Sequence, residues 1–272
     1  MRSNRNTPLT PAEKGRSRAL RLHRALKARG CSFEPIADVE KKQKAMLRRN
    51  ADMQTSSWEC LAYCKPEDLC RDPGRCQSAC LLGSWLHRGE LIAKVHDRLQ
   101  SEPYEAFLVT LVRRAWARDL GDLTSLKPTS LHRWLQRRLS VCGNTVKGVA
   151  CVDVSLNVVD GRTYWQGHIH AVLTAPSKDA LKRALKVPPS SKASKPCMAK
   201  QVHEDDLAHV LAYVTKPLPE GRVAYIAQNG RQGQRYVRVP SRPLREHDAW
   251  RMGMRMPERL KIIGMRIGRS GT

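Results

Sequence analysis

The feature that most constrains the fold of this chain is a pair of histidines, separated by a single residue, inside a short apolar run. Residues 164–175 read YWQGHIHAVLTA, with His168 and His170 inside that run. Such a run predicts a β-strand, and alternate side chains of a strand point to the same face. Both imidazoles therefore share a face. There they either hold a divalent cation as neutral nitrogen ligands or lie as surface histidines on an exposed sheet.

A second apolar segment precedes the histidines and carries one acidic residue. Residues 148–158 read GVACVDVSLNV and predict a strand, and Asp160 with Gly161 predicts a tight turn into the histidine strand. Alternation places Asp153 away from its valine neighbours, and the hairpin sets it opposite the histidines. One carboxylate with two imidazoles makes a metal site that leaves positions open for substrate oxygens. The alternative is that Asp153 is an exposed strand residue.

A tyrosine and a lysine lie on the next long predicted helix. Residues 204–219 read EDDLAHVLAYVTKPLP, in which the acidic start and the closing proline are typical of a helix. Tyr213 and Lys216 are three positions apart and so share a helical face. A phenol beside a cation can attack a phosphate, because positive charge helps the phenol to ionise. The alternative is an ordinary amphipathic surface.

Five cysteines cluster between residues 58 and 80, in the segment WECLAYCKPEDLCRDPGRCQSAC. Two pairs of cysteines, each separated by three residues, can place four thiolates around Zn²⁺ and so fold a segment too polar to fold alone. The predicted ligands are Cys60, Cys64, Cys76 and Cys80, with Cys70 as the alternate. The other interpretation is that these are reduced structural thiols.

The charge balance points to a polyanionic partner. Lysine and arginine number 49 against 25 acidic residues, which gives a net charge of +24. Nucleic acid is the strongest candidate, bound largely through its phosphates. Predicted helices at residues 12–28 and 126–139 carry arginines for that contact: Arg16, Arg21, Arg24, Arg137 and Arg138. No apolar run approaches the ~20 residues of a membrane span or forms a signal-peptide core, so we expect a cytoplasmic protein without a membrane partner.

Several motifs, taken in order, resemble the HUH-endonuclease superfamily, and within it the rolling-circle replication initiators of small plasmids. FLVTLV at residues 107–112 is similar to the first motif of that family, GHIHAVL to its paired-histidine motif and AYVTK to its tyrosine motif. CVDVSLN has its acid where relatives have one, and RCQSAC is similar to an upstream cysteine segment. The resemblance covers residues 58–265. Each motif is short, but their order is fairly specific.

The resemblance implies a metal-dependent nicking enzyme. His168 and His170, with Asp153, would hold Mn²⁺ or Mg²⁺ at the scissile phosphate. Tyr213 would attack that phosphate, become joined to the 5′ end and leave a free 3′ hydroxyl for a host polymerase, with a host helicase as a further partner. Lys216 would steady the phosphate or the phenolate. The substrate would be single-stranded DNA or the hairpin of an origin.

The expected fold is α+β, with a central antiparallel sheet and flanking helices of the RRM-like kind, preceded by the zinc-binding segment. We expect a basic N-terminal arm at 1–57, the cysteine-rich segment with a helix at 58–100, the nicking domain at 101–220 and a basic C-terminal extension at 221–272. One alternative function is a single-tyrosine transposase or relaxase. Another is a zinc-containing nucleic-acid-binding protein without catalysis.

Overall fold

A computed structural model describes residues 11–53, 61, 76–186, 196–226 and 232–268. In these ranges three helices precede the first strand, and the other helices lie between strands of one sheet along the chain. The helices are α1 (Pro11–Ala28), α2 (Ile36–Arg49), α3 (Leu81–Gln100), α4 (Pro128–Leu139), α5 (Lys178–Ala184), α6 (Leu207–Val214), α7 (Ser241–Met252) and α8 (Met256–Arg259). The strands are β1 (Ala106–Asp119), β2 (Lys147–Val159), β3 (Arg162–Thr174), β4 (Cys197–Val202), β5 (Glu220–Ile226), β6 (Gln232–Val237) and β7 (Leu260–Ile263).

The strands form a mixed sheet in the order β4-β1-β3-β2-β5-β6, with β7 also paired to β2. The pairs among β4, β1, β3 and β2 are antiparallel, as the sequence predicted. The prediction of an antiparallel sheet is nevertheless wrong at one place, because β5 runs parallel to β2. A parallel pair needs a long connection, and the chain makes one through β3, α5, β4 and α6. The fold is therefore α+β with a mixed sheet flanked by helices.

The hairpin that joins β2 and β3 matches the sequence prediction. Val159 pairs with Arg162, so the turn consists of Asp160 and Gly161 alone. Both turn residues have positive φ angles, 50° and 73°, the combination that suits the right-handed twist of the flanking strands. Only a short polar residue and a glycine adopt these angles readily. The turn thus fixes the register that sets Asp153 beside His168.

Alternation along the central strands produces two different faces. On one face, apolar residues such as Val152 and Ile169 pack with Leu131 of α4 and Leu181 of α5. The other face is covered in part by α1, α2, α3 and α6, which share a second apolar core. The buried polar residues of β2 and β3 lie on this second face.

The N-terminal helices pack against the domain. The sequence favoured a solvent-exposed arm, and the helical bounds agree with it, but Leu26 and Met46 are buried in the same core as α3. Leu22 approaches α3 so closely that a Cβ at Gly89 would lie 2.7 Å from its Cδ2. A few apolar residues at helical spacing are enough to dock α1, although its remaining positions are strongly basic.

The C-terminal region also belongs to the fold. Its sequence predicts a hairpin around Asn229 and Gly230, which lie outside the described residues, and β5 and β6 do pair antiparallel on either side of them. The sequence also predicts that the final basic stretch, 259–269, contacts DNA, but part of it forms β7. Strands β5, β6 and β7 join the sheet, and Trp250 of α7 is buried. Leu260 and Ile263 pair with β2, so the apolar part of this tail forms a strand. Among the helices of the described ranges, none has the length and apolar character to cross a membrane.

Candidate active site

His168 and His170 lie side by side on β3, buried on the second face of the sheet. His170 is flanked by Thr110 of β1, and His168 by Asp153 of β2. The two imidazole rings are nearly parallel, with an interplanar angle of 8° and centroids 5.7 Å apart. The strand period predicted this shared face, and the structure confirms it.

Each histidine has a hydroxyl partner and little access to water. Ser155 Oγ is 2.7 Å from His168 Nε2, and Thr110 Oγ1 is 3.0 Å from His170 Nδ1. His168 Nδ1 is buried without a hydrogen-bond partner among the described residues. Burial lowers the pKa of both imidazoles, and the cation of Lys216 acts in the same direction. Both rings are therefore neutral at pH 7 and keep nitrogen lone pairs for a ligand.

Asp153 is held by a lysine rather than by the histidines. Its buried carboxylate accepts a hydrogen bond from the amide of Val154 at 2.9 Å, and Lys216 Nζ lies 3.6 Å from it. Lys216 also pairs with Glu220. Burial opposes the charge of the ammonium group, but the two carboxylates outweigh it and raise the pKa of Lys216. The same lysine, against the effect of burial, lowers the pKa of Glu220.

The predicted three-ligand metal site has to be judged against this geometry. Among the residues the structure describes, no three His, Cys, Asp or Glu side chains are grouped closely enough to hold a metal ion. The histidine pair fits a cation by its neutral nitrogens and by the unpartnered Nδ1 of His168. Asp153 does not complete the set in this arrangement, because Lys216 pairs with it. The site formed by His168, His170 and Asp153 stays a prediction.

Tyr213 projects from α6 over the histidine pair. Its ring meets His170 edge to face with centroids 5.7 Å apart, and Lys216 Nζ lies 4.9 Å from the ring centroid. The residue is 37% exposed. Burial raises the pKa of Tyr213, and the opposing effects of Lys216 and Arg222 do not cancel this. The sequence expectation that lysine makes the phenol easy to ionise is therefore offset by desolvation.

Local folding explains how Tyr213 and Lys216 meet. Leu207 and Leu211 are buried and fix α6 against the sheet, which leaves Tyr213 at the rim. The helix ends at Val214, before Lys216, yet the Lys216 amide still donates to the Tyr213 carbonyl at 3.2 Å. Tyr213 and Lys216 thus keep the predicted spacing, because one hydrogen-bonded turn continues beyond the end of the helix.

A buried arginine from the C-terminal region supports this turn. The guanidinium of Arg259 donates to the carbonyl of Lys216 at 3.2 Å and to that of Val152 at 3.3 Å. It therefore connects the strand of Asp153 to the segment of Lys216. Sequence reasoning assigned the region around Arg259 to DNA contact and missed this role.

Other residues of the site were also missed by sequence reasoning. For Ser155 a signal existed, since it alternates with Asp153 along a predicted strand. For the residues on β5 and β6, the sequence predicts the hairpin around Asn229 and Gly230 but not the edge of the sheet that the hairpin joins. The residues missed are Thr110, Ser155, Glu220, Arg222, Tyr236 and Arg259.

Two of the predicted zinc ligands come together at the start of α3. A Cβ at Gly83 would lie 2.9 Å from Cys76 Sγ and 3.4 Å from Cys80 Sγ, so both sulfur atoms flank the same glycine. Cys80 Sγ also accepts a hydrogen bond from the Gly83 amide at 3.3 Å. A helix N-terminus favours thiolates, the form that binds metal. The other candidates, Cys60, Cys64 and Cys70, lie outside the described residues, and the zinc site stays a prediction.

The arginines predicted to contact nucleic acid fall into two groups. Arg21 and Arg24 are exposed on α1, and the side chain of Arg16 lies outside the described part of the chain. Arg137 is exposed on α4, and the Arg138 guanidinium lies 5.6 Å from the ring centroid of Trp134. Since α4 packs on the sheet face opposite to Tyr213, this second group does not line the candidate site. Whether either group binds nucleic acid stays a prediction.

Comparison with known proteins gives no indication of function. No family model matches the chain, and neither a curated protein nor a solved structure matches it. Function must then be argued from the geometry and chemistry of the side chains.

Proposed function

We propose that this protein nicks and rejoins single-stranded DNA through a 5′-phosphotyrosine on Tyr213, as a rolling-circle replication initiator. The observation that carries the proposal is the position of Tyr213, whose ring meets the neutral imidazole of His170 edge to face and lies beside the ammonium group of Lys216, with His168 next to His170. A phenol, a cation and nitrogen ligands that lie close together suit attack on a phosphate diester.

The path of the chain supports the proposal. The succession β1-α4-β2-β3-α5-β4, with the strand order β4-β1-β3-β2, is that of ferredoxin-like domains. The RRM-like fold expected for a nicking domain of this superfamily is built on a four-stranded sheet that presents a face to nucleic acid. Here the histidines lie on the central strand β3, and the tyrosine helix follows β4 directly.

Each side chain has a defined task in the proposed reaction. Tyr213 Oη attacks the phosphorus, the P–O3′ bond breaks, and a 5′-phosphotyrosine and a free 3′ hydroxyl result. The phenol loses its proton during the attack, because burial raises the pKa of Tyr213, and the departing O3′ takes up a proton to become the hydroxyl. Lys216 and Arg222 supply the positive charge that favours the phenolate and the charged phosphate. Rejoining reverses these steps with a 3′ hydroxyl as the attacking group.

The residues that would hold Mn²⁺ or Mg²⁺ are His168 and His170, with Asp153 as the oxygen ligand once it has parted from Lys216. When bound, such an ion polarises a phosphate oxygen and makes the phosphorus more electrophilic. Zn²⁺ would be bound separately, by Cys76, Cys80 and their predicted partners. The positive net charge would hold the flanking DNA.

A covalent adduct tests the proposal. The protein is incubated with labelled single-stranded DNA containing a hairpin from the region around its gene, with Mn²⁺ or with EDTA, and run on a denaturing gel. We expect a shifted band that requires Mn²⁺ and is absent for Tyr213→Phe. The matched control is Tyr104→Phe, which removes another exposed phenol hydroxyl outside the site. An adduct that persists in Tyr213→Phe would contradict the proposal.

A non-catalytic nucleic-acid-binding protein is the second candidate. It is favoured by the lack of a three-ligand metal group among the described residues and by the raised pKa of Tyr213. It predicts tight binding of DNA without any adduct, and equal binding by wild type and Tyr213→Phe. If an adduct forms, the fate of the nicked strand separates the remaining functions. Strand transfer between two DNA ends would indicate a transposase or relaxase, whereas religation at one origin would indicate a replication initiator.

A further inference from the structure

The polar face of the sheet continues beyond the candidate site, toward β5 and β6. Asn157 of β2 pairs with Arg222 of β5, and Arg222 pairs with Tyr236 of β6. Directly paired residues point to the same face of a sheet. A row of side chains therefore runs from the strand of Asp153 to an aromatic residue at the outer edge.

Tyr236 is the most exposed aromatic residue of this row. Its side chain is 72% exposed, and the Arg222 guanidinium carbon lies 5.6 Å from its ring centroid. Arg222 is itself fixed, because its guanidinium pairs with Glu220 at 3.0 Å. The ring is thus positioned from one side by a held cation, while much of its surface faces solvent.

The other face of the same hairpin offers a contrast. Tyr225 also has an exposed ring, but it packs over a gap in the neighbouring strand: a Cβ at Gly233 would lie 2.6 Å from Tyr225 Cζ. Tyr225 therefore covers its own sheet, a structural task. Tyr236 pairs across the strands with Arg222. Burial raises the pKa of Tyr213, and the charge of the same Arg222 opposes that rise, so the arginine connects the two tyrosines.

We propose that Tyr236, positioned by Arg222, is a stacking platform for an unpaired base of the single-stranded nucleic acid that reaches Tyr213. This inference rests on the proposed function, since it names the binding surface beside that site. Every base has a π-face, so the platform takes any base and selects single strands over duplex. Arg222 fixes the ring plane while its guanidinium stays paired with Glu220.

The experiment measures binding separately from catalysis. A fluorescent single strand of about ten nucleotides, within the site size of such surfaces, is titrated with Tyr213→Phe protein in EDTA and followed by anisotropy. In that background, Tyr236→Leu removes the ring, Tyr236→Phe keeps it, and Tyr225→Leu is the matched control on the opposite face. Circular dichroism and thermal unfolding check that each variant folds.

We expect Tyr236→Leu to bind the single strand roughly 5- to 100-fold more weakly, the loss of one stacked base. Tyr236→Phe and Tyr225→Leu should stay within about 2-fold of the parent, and Tyr236→Leu should bind duplex unchanged. Equal single-strand affinity for Tyr236→Leu and its parent would overturn the inference. So would a loss in Tyr236→Phe as large as in Tyr236→Leu, or the lack of single-strand binding by the parent.

The two proposals can fail separately. If Tyr236→Leu loses affinity but wild type forms no adduct, the stacking platform stands and nicking fails. If wild type forms the Tyr213 adduct but Tyr236→Leu binds normally, nicking stands and the platform fails.

Discussion

Replacing Lys216 with methionine should destabilise the protein, because it leaves a buried carboxylate without its cation. Lys216 Nζ is 3.6 Å from Asp153, whose side chain is only 5% exposed. Breaking a fully buried ion pair costs about 3–5 kcal/mol. Lys216 retains some contact with solvent, and Asp153 keeps the hydrogen bond from the Val154 amide. The expected loss in the free energy of unfolding is therefore smaller, about 2–3 kcal/mol.

Urea unfolding at pH 7, read from midpoint and slope, measures this loss. Lys200→Met is the matched control, since Lys200 is exposed on β4 and its replacement should change stability by less than about 0.5 kcal/mol. Asp153→Asn combined with Lys216→Met completes a double-mutant cycle. We expect a coupling free energy of about 1–2 kcal/mol between the two changes. Either single variant leaves one charge of the pair without the other, whereas the double variant removes both charges.

Strictly additive effects of Asp153→Asn and Lys216→Met would refute the reasoning. Asp153 would then not depend on the lysine, and its buried charge would have to be compensated elsewhere. A loss in Lys200→Met equal to that in Lys216→Met would refute it as well, because the effect would then be general to lysine removal.

Three further results are expected. Gly148→Ala should lower the free energy of unfolding, measured in urea, by about 3 kcal/mol, because Gly148 has a φ of 153° and a Cβ there would lie 1.9 Å from the carbonyl oxygen of Val172. The control is Gly268→Ala, which should change stability very little because a Cβ there would meet open space. Equal losses in the two variants would contradict this prediction. Burial lowers the pKa of His132 and His247 to about 4 each, below the unfolded value of 6.5, so stability is full above pH 6.5 and falls toward pH 4 by up to about 3 kcal/mol per histidine. Urea midpoints across this range should show that fall, and His132→Leu should flatten it; a flat wild-type profile would contradict it. Affinity for single-stranded DNA should decrease linearly on a log–log plot against salt, whereas salt-independent binding would exclude phosphate contacts.

Much of the fold could be predicted from periodicity. The hairpin of β2 and β3 follows from alternating apolar residues and from a turn that requires positive φ at Asp160 and Gly161. The N-terminal cap of α5 follows from Ser177, whose side chain accepts a hydrogen bond from the amide of Ala180. Such features depend on residues close in sequence and can therefore be predicted without the structure.

Long-range packing was less predictable. A third of the residues of α1 are lysine or arginine, and the docking of Leu22 against Gly89 depends on a helix far along the chain. The parallel pairing of β5 with β2 likewise depends on where α6 delivers the chain. Neither feature has a local pattern, so the sequence favoured an arm and a tail where the structure has parts of the core.

The candidate site divides in the same way. His168, His170 and Asp153 share a face because strand alternation and the hairpin register require it. The pairing of Lys216 with Asp153 could not be foreseen, since helical spacing relates the lysine to Tyr213 alone. The pKa of Tyr213 depends on burial, which no local pattern reports. Sequence thus supplied the chemistry of the site, and packing decided which groups meet.

Identification of the residue that carries DNA is the most direct test of the account. After incubation with Mn²⁺ and the single-stranded hairpin, the protein is digested with protease and nuclease, and mass spectrometry locates the nucleotide-bearing peptide. We predict a nucleotide joined through its 5′ phosphate to Tyr213. A nucleotide on another tyrosine, such as Tyr236, or cleaved DNA without any protein-linked nucleotide, would contradict the account.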